Sequence, residues 1–258
     1  MFNFNMENFL ISVITVVLND KSNIETTINS VISQTYSNIE YIIIDGGSND
    51  GTLEIIQKYK NQISIIVSEP DKGIYDAMNK GTLLATGEWI SYMNSGDQFN
   101  DSNVLNSIFV KNRNVILNKD VIYSDVIADF KPNKQIRKAK NINSFYRGLP
   151  FSHQAHLVKT SIVRNRPFNL KYSISADYDL LYSIYKEKAK FYYYEIPIAR
   201  VDVTMGISKN VKLSILYKDF IEICKTHGSK IQIITIYLII PVQILYAIMR
   251  RFFIKTKK

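Results

Sequence analysis

Between Ile11 and Asp97 four short apolar runs alternate with three amphipathic stretches, and this alternation constrains the fold more than anything else in the chain. Ile11 to Leu18 is nearly continuous in β-branched and other apolar residues, the mark of a strand covered on both faces. Asn19-Asp20-Lys21 ends it. Ser22 and Glu25 have the spacing of a capping box, which opens a helix with Ile24, Ile28, Val31 and Ile32 on one face. Ile39 to Ile44 is a second strand, ended by Asp45-Gly46-Gly47-Ser48-Asn49-Asp50-Gly51, and a short helix carries Leu53, Ile55, Ile56 and Tyr59. A third strand, Ile63 to Val67, leads into Glu69-Pro70-Asp71-Lys72-Gly73 and a helix over Ile74 to Leu84. The fourth, Trp89 to Met93, stops at the turn-forming Asn94-Ser95-Gly96 and presents Asp97. A β-α-β-α-β-α-β order with tight connections predicts an α/β fold, a mostly parallel central sheet flanked by helices.

In such a sheet the carboxyl ends of the strands share one edge, where ligands bind. Asp45, Asp71 and Asp97 all fall there. One aspartate in such a place is more often a cap, but three at three strand ends point to a ligand. A hard cation on Asp97 could carry a diphosphate. The turn after the first strand, Leu18 to Ser22, has no glycine, so the backbone cradle of a dinucleotide-binding dehydrogenase is missing, although Asp45 sits where its ribose-binding acid would be. No P-loop pattern occurs. A nucleotide diphosphate neutralised by a metal needs neither.

The chain has 258 residues, enough for one large domain with an appendage. Cys224 is its one cysteine, which excludes a disulfide framework and a cysteine metal site. The first seven residues carry no basic region, so no secretory signal is expected there. The net charge of +9 is unevenly spread: residues 1–110 hold 5 Lys/Arg against 13 Asp/Glu, which leaves 27 against 10 for the remainder. The second half is therefore expected to face an anionic partner.

Three groups of residues carry a family resemblance. They are Ser12-Val13-Ile14-Thr15 with the helix end Val31 to Tyr36; Glu40 to Thr52 with its Asp45-Gly46-Gly47-Ser48 core; and Glu69 to Gly81 with Met93-Asn94-Ser95-Gly96-Asp97. Together they resemble the family 2 inverting glycosyltransferases, in the branch that builds bacterial surface polysaccharides. The resemblance runs from about Ile11 to Ile207. It implies a nucleotide-diphospho-sugar transferase fold of the GT-A type and a UDP-linked donor. Asp45 would contact the nucleoside, with Asp71, Lys72, Asn94 and His153 also at the nucleotide-sugar. Asp97 would bind the metal, Mn2+ or Mg2+, and Asp177 would be the catalytic base. The chain departs from the family pattern in three places. Asn94 stands where the first acid of the metal motif is usual, Ala176 where a glutamate precedes the base, and Val16-Val17-Leu18 where many relatives place a polar nucleoside contact.

In the second half, Val121 to Val126 reads as a strand whose Asp125 is structural. Lys131 to Arg147, rich in Lys, Arg and Asn, reads as a solvated connection bordering the acceptor site. A helix opens near Asp177 and continues to about Lys188, with Asp179 structural, and Phe191 to Ile198 is an aromatic strand. Arg200 to Ser208 reads as a loop able to fold over bound nucleotide. Residues 1–210 are the expected catalytic domain, with a nucleotide-sugar half over 1–110 and an acceptor half over 111–210. Residues 211–258 form an apolar, basic helical appendage, nearly free of polar residues from Ile231 to Met249 and ending in five basic residues. It is expected to lie on the membrane. The reading is thus a peripheral enzyme at the cytoplasmic face of the cell membrane. Its expected partners are a nucleotide-sugar, a saccharide acceptor on a polyprenyl lipid and an anionic membrane surface, not nucleic acid. The alternative is a catalytically silent nucleotide-sugar-binding or scaffold protein of the same fold.

Overall fold

Strand β1 (Ile11–Val17) is buried at every position, because helices cover both faces of the sheet around it. Its side chains alternate between two cores. Ile14 and Val16 join one, with residues of β2 (Ile39–Asp45), α3 (Ile74–Leu84) and α7 (Ala176–Lys186). Ile11, Val13 and Val17 join the other, with α1 (Ile24–Ile32) and α2 (Thr52–Lys58). The period of two sorts the strand, and its apolar composition lets both sets be buried. The computed structural model describes residues 8–130, 133–203 and 213–228, together with Lys230 and Ile233.

β3 (Ile65–Ser68) and β4 (Trp89–Tyr92) complete the first half, with β3, β2, β1 and β4 running parallel in that order. The second half adds β5 (Gln98–Phe99), α4 (Val104–Asn106), a wide turn into α5 (Arg113–Ile116), β6 (Val121–Asp129) and β7 (Lys134–Arg137). A 3-10 turn (His153–Ala155), β8 (His156–Lys159), α6 (Thr160–Val163), α7, β9 (Phe191–Asp202) and α8 (Leu213–His227) follow. Among the described residues the sheet continues from β4 through β8, β6, β9 and β5, with β7 on β6. These contacts are antiparallel except the parallel pair β6 and β9. The parallel arrangement expected from the alternation thus belongs to the first half, and the second half is mixed.

α3 lies against β1 through Gly81, where a Cβ would come within 2.5 Å of Ile14 Cγ2. This close approach brings the helix that follows the Asp71 loop down onto the sheet.

Three local expectations are corrected. The Ser22–Glu25 capping box does not form: α1 starts without a side-chain cap. Glu25 instead accepts the Tyr59 hydroxyl at 2.8 Å, and the Asp20 carbonyl receives the Ile24 N–H at 3.1 Å. Within Lys131 to Arg147, β7 pairs with β6 over Val126–Asp129. All four of its residues are exposed, so no burial pattern marks it in the sequence. Arg200 to Asp202 continues β9 beside β6, with Arg200 also paired to β5, rather than opening a loop. The remainder of that expected loop from 204 on, and residues 231–258 of the appendage apart from Ile233, lie outside the described residues, while the start of the appendage is the helix α8. Among the described residues no helix is long and apolar enough to cross a membrane.

Candidate active site

The carboxyl ends of the parallel strands carry the three acids as expected, but in different states. Asp45 closes β2 and is wholly buried. Its carboxylate accepts the Ser68 hydroxyl at 2.6 Å, the Ser48 N–H at 3.1 Å and the Ser48 hydroxyl. It therefore ties the Gly46–Ser48 loop to the end of β3. Asp71 accepts the Gly73 N–H at 2.8 Å. Its second oxygen sits over Gly46, where any Cβ would collide with it. A larger residue at 46 would displace the Asp71 carboxylate from this contact between the two loops. Lys72 keeps its side chain exposed and gives its backbone N–H to Asp76 at 2.9 Å.

Asp97 is reached through a turn stitched to α1. The Thr27 hydroxyl donates to the Asp97 carbonyl at 2.8 Å and accepts the Gly96 N–H at 3.0 Å, while Ser95 donates to Asp20 at 2.7 Å. Gly96 takes φ 92°, which a glycine adopts without strain. The Asp97 side chain is nearly enclosed, and burial pushes its carboxyl up to about 7. Gln154 opposes this by donating to it, and the negative charges of Asp202 and Asp20 add to the rise. The Asn94 side-chain oxygen is buried with no hydrogen-bond partner.

These features suit a hard cation. A buried carboxyl beside other acids and an orphaned amide oxygen are oxygen ligands lacking positive charge. Among the described residues no three His, Cys, Asp or Glu side chains converge as a complete ligand set. Mg2+ in nucleotide sites is characteristically held by one or two carboxylates, with phosphate and water filling the other positions.

Asp177 lies in the first turn of α7, its side chain 16% exposed. One carboxylate oxygen, Oδ1, accepts the Tyr75 hydroxyl at 3.0 Å and the Tyr178 N–H at 2.9 Å. The other, Oδ2, faces His153 Nδ1 at 3.7 Å. Burial raises the Asp177 carboxyl, against those two hydrogen bonds and the nearby His156 ring. His153 stacks on Tyr92 with ring centroids 5.5 Å apart and lies edge-on to Phe168. Burial drives it down to about 4, so the ring is neutral at physiological pH.

Two sub-sites follow. Asp45 and Asp71 meet at Gly46. Asp97 and Asp177, far apart in sequence, are joined by adjacent residues, since Gln154 holds the first and His153 faces the second. Sequence reasoning missed Tyr75 as a partner of Asp177, Gln154 as a partner of Asp97, and Asp20 and Asp202 as charges near it. Tyr75 and Gln154 do stand inside or beside motifs read from the sequence, which was the available signal; Asp202 reaches the site through the β5–β9 pairing, which has none. The structural readings of Asp125 and Asp179 fit their ties: Lys138 and Tyr193 on the first, His227 at 2.8 Å on the second.

Residues 12–175 match the family model described as glycosyl transferase family 2. A PGL/p-HBAD biosynthesis glycosyltransferase of Mycobacterium bovis is 29% identical over 176 residues, covering 66% of this chain and 67% of its own. The Escherichia coli UDP-Glc:alpha-D-GlcNAc-diphosphoundecaprenol beta-1,3-glucosyltransferase WfaP is 34% identical over 128 residues, 46% of this chain and 51% of its own. Among solved structures, Staphylococcus aureus TarS 1-349 in complex with UDP superposes with TM-score 0.66 at 17% identity, over 84% of this chain and 64% of that one. The Pyrobaculum calidifontis mannosyltransferase PcManGT, in complex with GDP-Man and Mn2+, gives 0.59 at 15% identity, over 77% and 58%. The chain thus spans about two thirds of its mycobacterial relative and about half of WfaP. With the model match covering more than half of the chain and the sheet of a GT-A fold beneath it, this chain belongs to glycosyl transferase family 2.

Proposed function

We propose that the chain moves a sugar, with inversion, from a UDP-sugar to a hydroxyl of a saccharide carried on a polyprenyl diphosphate lipid, in the synthesis of a surface polysaccharide or glycolipid. The observation that carries this reading is the His153–Gln154 turn, in which His153 faces Asp177 and the adjacent Gln154 donates to Asp97. Direct displacement at the anomeric carbon needs a base for the attacking hydroxyl on one side and charge neutralisation for the leaving nucleotide on the other. Asp177 Oδ2, the oxygen that the Tyr75 and Tyr178 hydrogen bonds leave facing His153, takes the hydroxyl proton. Its raised proton affinity suits that task. The neutral His153 ring beside it orients the same hydroxyl. Asp97 and the Asn94 oxygen would hold Mn2+ or Mg2+, which when bound would supply positive charge against the negative charge gathering on the diphosphate. The Asp45–Ser48 loop and Asp71 with Lys72 form the floor for the nucleoside.

The relatives support the donor and acceptor classes: a UDP-glucose donor and a lipid diphosphate acceptor for WfaP, and UDP bound by TarS. The basic second half and the apolar run over residues 231–249 support work at the cytoplasmic face of a membrane. Removing residues 231–258 is expected to abolish flotation with anionic liposomes; equal flotation of both forms would refute that anchor.

The test of function is incubation with a panel of UDP-sugars, Mn2+ and a short-chain lipid diphosphate saccharide, following UDP release and the anomeric configuration of the product by NMR. Release with inverted configuration, abolished by chelator, is expected. Nucleotide binding without release would identify a silent binding protein, and retained configuration would refute inversion.

A further inference from the structure

Helix α3 touches the second half of the molecule at two points. Asn79 exchanges hydrogen bonds with the Phe168 backbone, donating to its carbonyl at 3.0 Å and accepting its N–H at 2.7 Å. One turn earlier, Tyr75 stacks on the Phe168 ring with centroids 5.4 Å apart and donates its hydroxyl to Asp177 Oδ1. Tyr75 is almost fully buried, and burial holds its hydroxyl protonated far above the usual phenol range. It is therefore a donor at every working pH. It also stands two residues after Gly73, whose N–H is held by Asp71, so α3 begins directly at the loop assigned to the nucleotide.

We infer that Tyr75 is the positioning residue of Asp177, fixing which carboxylate oxygen faces the acceptor and tying that choice to the Asp71–Gly73 loop. The inference rests on the reading of Asp177 as the base. Because Tyr75 and the Tyr178 N–H both occupy Oδ1, Oδ2 is left toward His153. Without the hydroxyl, the carboxylate can rotate and exchange its two oxygens. Movement of the loop on binding a donor would be carried through the first turn of α3 to the base. The groups that face Asp177 are Tyr75 from α3, His153 from the 3-10 turn and His156 from β8, and the Tyr178 N–H is the donor on its own helix.

Tyr75→Phe keeps the ring and its stacking while deleting the donor. In the full chain labelled with 13C-aspartate, the carboxyl resonance that Asp177→Asn removes identifies Asp177. Its titration midpoint is expected to move to higher pH in Tyr75→Phe, since a hydrogen bond to the charged form is lost. In UDP release from the UDP-sugar panel with Mn2+, kcat is expected to fall roughly tenfold, the cost of one charge-assisted hydrogen bond. KM for the donor should not change, and the acid limb of the pH profile should follow the carboxyl upward. In an Asp177→Asn background the tyrosine substitution should cost nothing further. An unmoved titration together with wild-type kcat, in a protein where Asp177→Asn is inactive, overturns the role of Tyr75 alone. A moved titration with full activity in Asp177→Asn overturns the base assignment alone.

Discussion

His153 Nδ1 lies 3.7 Å from Asp177 Oδ2, and neither nitrogen of that buried ring has a hydrogen-bond partner in the protein. Two polar atoms that face each other beyond hydrogen-bond reach are placed for one hydroxyl oxygen to bridge them, which is the role proposed for the acceptor. An unpaired buried polar group costs about 1–3 kcal/mol. His153→Phe, close in shape, is therefore expected to leave the protein at least as stable as wild type while raising KM for the acceptor. Thermal unfolding and acceptor titration read the two effects. A large loss of stability would mark the ring as structural.

Asp97 should show opposite effects on stability and function. Its carboxyl ionises at about 7 when folded and near 3.8 when unfolded, so stability is present below 3.8 and is lost as pH rises through 7. Asp97→Asn removes that loss. The metal-free variant should unfold at higher temperature than wild type at pH 8, with the advantage gone at pH 3.5. Its binding of UDP should no longer respond to Mn2+. Calorimetry with and without chelator checks the second outcome.

The histidine pair acts with the reverse sign. Burial and the neighbouring His153 take His156 down to about 3, from about 6.5 unfolded. Its contribution is complete above pH 6.5 and is lost as pH falls toward 3. His156→Asn should thus gain on wild type by about 1.4 kcal/mol for each pH unit below 6.5, whatever its offset at neutral pH. Urea melts of both proteins between pH 7 and 5 measure the slope. Parallel stability curves would contradict a buried neutral histidine.

Asp45 is expected to be structural and functional at once. Asp45→Ala strands the donors of Ser48 and Ser68 and should cost roughly 1–3 kcal/mol, with weaker nucleotide binding because the loop proposed to face the nucleoside is freed. Asp45→Asn, which retains one acceptor, should lose less of both. Loss of nucleotide affinity with unchanged stability would place Asp45 on the nucleoside alone.

Much of the nucleotide half was legible because its central strands, β1, β2 and β4, are buried on both faces along most of their length. Ile11–Val17 and Ile39–Asp45 leave no other arrangement for such apolar runs, and the strand ends then deliver Asp45, Asp71 and Asp97 to one edge. The second half was less legible for physical reasons. β7 is exposed at all four positions, so it has no pattern to read. Glu25 was read as a cap because spacing shows an available partner but not a better one, and Tyr59 is the better one. The bonds of Tyr75 to Asp177 and of Gln154 to Asp97 cross 102 and 57 residues, and only the mixed sheet brings their ends together.

The central claim is that Asp177 accepts the proton of the attacking hydroxyl while the Asp97 side holds the donor. It is tested most directly by single-turnover transfer from a radiolabelled UDP-sugar in the presence of Mn2+, comparing wild type with Asp177→Asn after calorimetry has matched their nucleotide affinities. The account predicts equal donor binding and a transfer rate lower by roughly 10²–10⁴-fold, the usual contribution of a positioned base. Equal rates, or donor binding that collapses together with the rate, would contradict it.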